Sequence, residues 1–176
     1  MRIPVFVSMP TVLSDRQLAS RRIVERLVRD MGLEERRLGE SDYPHKYPLK
    51  EVYAIARHCS GGLILGFEQM RVTAGLVKPE TPKEEAIGAP VAVPTPWNNL
   101  EAGILFGLGL PLMIFREKGV SGGVFDNGVT DVFVHRMPTA RDRNNDQLKQ
   151  VFRNWQAEVR HHYYEGWRGP VDKNRV

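Results

Sequence analysis

TPWNNLEAGILFGLGLPLMIF, residues 95–115, is the stretch on which the fold turns. Pro94 and Pro96 keep the chain before it extended, because a residue preceding proline is pushed out of the helical region. Asn98 is an N-cap residue type, so the spacing predicts a helix over 98–107 that ends in glycine. Leu110, Met113, Ile114 and Phe115 then predict a buried strand over 110–115, with Pro111 near its start, where a missing amide is tolerated. Glu101 is the one carboxylate among these apolar neighbours, and two explanations compete for it. It falls three residues after Asn98, the spacing of a capping box in which Glu101 reaches back to the Asn98 amide. It also falls in the first turn of a helix that follows a strand, and that position points into the crevice where open α/β sheets bind ligands.

Outward from this helix the chain alternates strand and helix. Residues 3–8 (IPVFVS) are a β-branched and aromatic run closed by Met9-Pro10, as expected of a buried strand. Ser14 and Gln17 form a capping box, and Ile23, Val24, Leu27, Val28 and Met31 repeat with a helical period before Gly32. Residues 33–38 (LEERRL) are too charged for a central strand and predict an edge. The loop 39–48 carries Asp42, Tyr43, His45 and Tyr47, groups suited to lining a pocket. Leu49, Val52, Tyr53 and Ala56 mark a second helix, and His58 at its end suits the helix dipole. Residues 61–67 (GGLILGF) are apolar throughout and predict a central strand.

Residues 68–95 contain Pro79, Pro82, Pro90 and Pro94 and no long helical pattern, although 79–86 could hold a short helical turn. An excursion of that length inside a compact domain is expected to be a lid, a binding loop or an oligomer contact. The glycine-rich loop 119–128 is neither a P-loop nor a dinucleotide fingerprint, and it could close over a ligand. A fifth strand is expected over 131–136. A last helix is expected over 146–164, where Leu148, Val151, Phe152, Trp155 and Val159 form an apolar stripe.

Five strands alternating with helices predict an α/β fold, a flavodoxin-like three-layer sandwich of about five parallel strands in the order 2-1-3-4-5 with helices on both faces. One domain over 1–165 and a tail over 166–176 are expected. In that order the loops after strands 1, 3 and 4 meet at the topological switch point. The hydrophobic content of 41% and charged content of 26% are those of a soluble globular protein. No apolar run has the length of a membrane span and no signal sequence is evident, so a cytoplasmic protein without membrane partners is expected. Cys59 is the single cysteine, which excludes an internal disulfide. The net charge of +4 arises in residues 136–176, where nine Lys and Arg face five acids; a solvated helix accounts for it better than nucleic-acid binding does.

The VFVSMP tip of the first strand, the apolar GGLILGF strand, and NNLEAGILFGLGLPLMIF with its Glu-Ala-Gly and Gly-Leu-Pro resemble the nucleoside 2-deoxyribosyltransferase-like N-glycosidases. Trp97-x-x-x-Glu101 also resembles the Trp and catalytic Glu of TIR-domain NAD hydrolases. The resemblance covers roughly residues 3–135. It implies that Glu101 is catalytic, as nucleophile or ribose-binding carboxylate. Where the transferases carry an Asp near the end of the third strand, this chain has Phe67, Glu68 and Gln69, and its path from that strand to Trp97 is longer than in TIR domains. The expected function is cleavage or transfer of a ribosyl N-glycosidic bond in a nucleotide or nucleoside, without metal or other cofactor, in a homo-oligomer. The alternatives are a TIR-like NAD hydrolase and a non-catalytic nucleotide-sensing module. Glu101 is the expected catalytic residue, and the expected substrate-binding residues are Ser8, Met9, Pro10, Asp42, Tyr43, Phe67, Trp97, Asn98, Asn99, Phe125 and Asp126.

Overall fold

The computed structural model describes residues 2–38 and 48–167. Strand β1 (Ile3–Ser8) leads into helix α1 (Asp15–Asp30), whose N-terminus is closed by the reciprocal Ser14 and Gln17 capping box. Gly32, at φ +72°, provides the left-handed turn into strand β2 (Leu33–Arg36). Helix α2 (Pro48–Ala56) and strand β3 (Gly62–Gly66) follow. Short strands β4 (Met70–Val72), β5 (Leu76–Val77), β6 (Glu85–Ala86) and β7 (Val91–Val93) come before helix α3 (Pro96–Gly107). Strands β8 (Leu112–Arg116) and β9 (Val134–Arg136) precede the last helix, α4 (Asp146–Trp167).

The protein is α/β. Its main sheet has five parallel strands in the order β2-β1-β3-β8-β9, consistent with a flavodoxin-like layout. Alternate residues of the central strands divide between two cores, as the period of two requires. Val5, Val7, Leu63, Leu65, Met113 and Phe115 pack with Val24 and Val28 of α1 and Phe152 and Val159 of α4. Phe6, Ile64, Leu112 and Ile114 pack with Val52 of α2 and Ala102 and Leu105 of α3. Each central strand is therefore buried on both faces, which is why these segments read as unbroken apolar runs.

Several expectations change, among them the fifth strand, expected from residue 131, which begins at Val134. The helix over 98–107 starts at Pro96, and its cap is Thr95, whose Oγ1 accepts from the Trp97 amide at 3.3 Å. Pro96 sits at the first helical position, where its fixed φ fits and its missing amide costs nothing, so the cap moves upstream of Asn98. The strand expected from residue 110 begins at Leu112, because the Leu110 amide still donates to Leu105 O (3.1 Å) and Gly109 (φ +69°) completes the helix end. The helical turn expected within 79–86 is absent. β4 pairs antiparallel with β7 and β5 with β6, so residues 70–93 form a two-stranded arm whose tip turns through Lys78 (φ +51°) and Glu80 (φ +60°). Helix α4 runs through residue 165 to Trp167, and 168–176 lie outside the described residues.

Candidate functional site

A cavity of about 540 Å³ opens at the carboxyl ends of β1 and β3. Its walls are the turn after β1 (Met9, Pro10, Thr11, Val12), the root of the arm (Gln69, Met70, Val93), the chain entering α3 (Pro94 to Trp97), Leu38 and Pro48 from either side of the loop before α2, and Glu101. Glu101 is the only ionisable side chain among these described lining residues. A second cavity, of about 620 Å³, lies beside Arg16, Arg136 and Asp142, and the Arg136–Asp142 ion pair at 2.8 Å occupies two of its charged groups.

α3 brings three polar residues together at the tip of β1. Asn98 is wholly buried, and its Nδ2 donates to Ser8 Oγ at 2.8 Å. The nearby Ser8 hydroxyl favours the charged form of the Glu101 carboxyl. Residues 98 and 101 lie three apart on α3 and share its face toward β1, which is why both reach the strand tip. Burial among apolar neighbours pushes the Glu101 carboxyl from the ordinary 4.5 up to about 7, and the Ser8 hydrogen bond pulls in the opposite direction without offsetting it. Near neutral pH, Glu101 is therefore divided between carboxylate and carboxylic acid. Such a group can stabilise a developing cation in one form and donate a proton in the other.

The capping box expected from Asn98 and Glu101 does not form, since the cap is Thr95 and both side chains turn to Ser8. Met9, Pro10 and Trp97 line the cavity with Glu101, and Trp97 is 42% exposed, leaving its ring open to a ligand. Phe67 and Phe125 are fully buried and lie away from that cavity. The Phe125 ring fills the space beside Gly66, where a Cβ would come within 2.3 Å of it. Asn99 Oδ1 accepts from the Val124 amide at 2.9 Å, and Asp126 Oδ1 from the Gly122 amide at 2.9 Å. Both therefore fasten the 119–128 loop, which contributes nothing to the cavity wall. Asp42 and Tyr43, like His45 and Tyr47, lie outside the described residues.

Thr11, Val12 and Leu38 were not foreseen in the wall, whereas Gln69, Met70 and Val93 come from the 68–95 excursion expected over the site. The arm places these last three, and its pairing is invisible in strands so short and so exposed. Glu117 also escaped notice. It follows β8 and is 8% exposed, and its carboxylate accepts from Arg16 Nη2 (2.9 Å), Gln17 Nε2 (2.7 Å) and the Glu68 amide (2.8 Å). Gln17 Nε2 donates as well to Glu68 O at 3.0 Å, so the start of α1 is bound to the root of the arm. The Glu68 carboxylate is held by Arg71 at 2.6 and 2.9 Å and is no part of the cavity wall.

Fold and site together define an α/β protein with a parallel five-stranded sheet and one acid-poised carboxyl in an apolar cavity at the sheet's carboxyl end. Comparisons with protein-family models, with curated proteins and with solved structures gave no match.

Proposed function

We propose that the protein is an N-glycosidase or N-glycosyl transferase acting on the ribosyl N-glycosidic bond of a nucleoside or nucleotide, with Glu101 as the reacting carboxyl of a flavodoxin-like three-layer sandwich. The observation that carries this reading is the single carboxyl, raised to about 7, in an apolar cavity of about 540 Å³ at the sheet's carboxyl end. Cleaving such a bond develops positive charge on the ribose, and a carboxylate beside the anomeric carbon stabilises or captures it. A neutral base leaves only when protonated, and a carboxyl titrating near 7 can supply that proton. Trp97 offers a face on which a base would stack, and much of the remaining wall is apolar.

A TIR-like NAD hydrolase is the second reading, favoured by Trp97 and Glu101 sharing one wall. Nicotinamide leaves as a neutral molecule from a cationic ring, so this reaction needs the carboxylate and no proton. The two readings predict opposite pH dependence. Release of a neutral base declines as pH rises through about 7, where the acid form is lost, while release of nicotinamide grows over the same range. The test is base release from a panel of nucleosides, nucleoside monophosphates and NAD, followed from pH 5.5 to 8.5. Glu101→Gln should lower turnover by about 10²- to 10⁴-fold, the usual contribution of a positioned acid or base. Turnover that survives this substitution, or no release from any member of the panel, rejects the proposal.

A further inference from the structure

The second cavity, of about 620 Å³, has a different electrostatic character from the one that holds Glu101. Arg16, Ala19 and Ser20 present one face of α1 to the turn over 139–142 that follows β9. Three guanidiniums, those of Arg16, Arg136 and Arg141, line the space, and Asp142 is the only carboxylate among its described lining residues. In the other cavity the one ionisable lining group is Glu101. An anion at this end of the sheet is therefore drawn to the second cavity rather than the first.

The positive charge is not used up by the acids that touch it. Arg16 Nη2 donates to Glu117 Oε1 at 2.9 Å and Arg136 Nη2 to Asp142 Oδ1 at 2.8 Å, one contact each from groups that carry several more N–H donors. These two side chains are 78% and 65% exposed, which leaves their other donors open to solvent. Arg141 is exposed and has no hydrogen bond or ion pair among the described residues. Counting Glu117 with Asp142, three guanidiniums meet two carboxylates, and one positive charge is left over. Arg143, next to Asp142, and Arg26, whose Nη2 donates to Arg143 O at 2.7 Å, add to the excess. Asp142 does not contest the space, because its carboxylate accepts from the Thr139 amide and hydroxyl, both at 2.8 Å, as well as from Arg136. Glu117 and Asp142 thus hold two of the three guanidiniums in place before a ligand arrives, which lowers the entropy cost of binding.

We propose that this cavity binds a phosphate dianion, free or as a monoester, with Arg16, Arg136 and Arg141 as its donors. A carboxylate has two oxygens and is served by one guanidinium fork, whereas a phosphoryl group offers three terminal oxygens to forks arriving from different sides. The volume lies within the range of small-ligand sites and leaves room for an organic group attached to the phosphate. The site shares no lining residue with the Glu101 cavity and does not depend on what Glu101 does.

The test is isothermal titration calorimetry of the full chain with ribose 5-phosphate and with inorganic phosphate, on the parent protein, Arg141→Ala, Arg57→Ala and Glu101→Gln. Arg141→Ala loses no hydrogen bond or ion pair of the described structure, so it should fold as the parent does. At least one of the two anions should bind one to one, and Arg141→Ala should weaken it by about tenfold or more, the range of a single charge-assisted contact. Arg57→Ala removes the same charge just past the end of α2, and Glu101→Gln alters the other cavity; both should leave the affinity unchanged. Tighter binding of the ester than of inorganic phosphate supports an organic phosphate as the ligand, and equal or tighter binding of inorganic phosphate supports the free ion. No saturable binding of either, or equal affinity in the parent and Arg141→Ala, overturns the proposal. So does a loss that appears equally in Arg57→Ala, the mark of general charge attraction, and so does binding that is lost in Glu101→Gln but kept in Arg141→Ala.

Discussion

Glu101 and Glu117 stand at the same end of the sheet, one at the start of the helix reaching the tip of β1 and the other just past β8, yet their surroundings are opposed. Glu117 accepts from a guanidinium, a side-chain amide and a backbone amide, all of them fixed to neighbouring elements. Glu101 has the Ser8 hydroxyl, an apolar cavity and little else, and its carboxyl is driven up to about 7. Asp142 repeats the Glu117 pattern: the Thr139 amide and hydroxyl and the Arg136 guanidinium hold it down to about 2. A carboxylate surrounded by donors serves as a structural tie. One that lacks donors and faces a cavity keeps both states in reach, which is the condition for moving a proton.

The contrast breaks most visibly through stability. Glu117→Ala leaves the Arg16 guanidinium, the Gln17 amide and the Glu68 amide without their shared acceptor, at the joint between α1 and the arm. Removing one partner of a buried charged network costs about 3–5 kcal/mol, although the exposure of Arg16 places the loss toward the lower end. Urea denaturation should show a loss of about 3 kcal/mol at pH 7, and a loss below 1 kcal/mol would mean that the cluster is ornamental.

Glu101→Gln should act on stability in the other sense and only at one end of the pH scale. The folded carboxyl titrates near 7 and the unfolded one near 4.5, so between these values the folded protein holds a proton that the unfolded chain has released. Stability therefore falls as pH rises from about 4.5 to 7, and the deficit persists above 7. Glutamine does not titrate and escapes this loss. The variant should match the parent near pH 4.5 and exceed it by roughly 2–3 kcal/mol at pH 8. A difference that is the same at both pH values would show that Glu101 is not in an apolar setting.

Much of the fold was legible because its elements agree with their neighbours in sequence. The Ser14 and Gln17 cap, Gly32, and the apolar 61–67 segment each point to one structure; the first two form as read and the third gives a strand over Gly62–Gly66. Glu101 was legible as a candidate because a lone carboxylate stands out on an apolar helix. The Asn98 contact with Ser8 was not, since the capping-box spacing of Asn98 and Glu101 describes a local contact and Ser8 lies 90 residues from Asn98. The lining role given to Phe125 rested on its place in a glycine-rich loop. Gly66 leaves a space that the Phe125 ring fills, and burying that ring outweighs leaving it at a cavity mouth. The Glu117 cluster joins residues about a hundred positions apart, and nothing local to Arg116-Glu117-Lys118 distinguishes it from a charged turn.

The smallest effect concerns the neighbouring amides Asn98 and Asn99, which face different tasks from adjacent positions on one helix. Asn98 turns inward to Ser8, while Asn99 Oδ1 receives the Val124 amide and stands where a Cβ on Gly123 would come to 2.1 Å. Asn99→Ala removes a single partly buried hydrogen bond to the 119–128 loop, a loss of about 1 kcal/mol. Because that loop is no part of the cavity wall, the Glu101 titration midpoint should stay where it is. A midpoint that shifts in Asn99→Ala would mean that the glycine-rich loop reaches the reacting carboxyl after all, and the division of labour between the two asparagines would have to be redrawn.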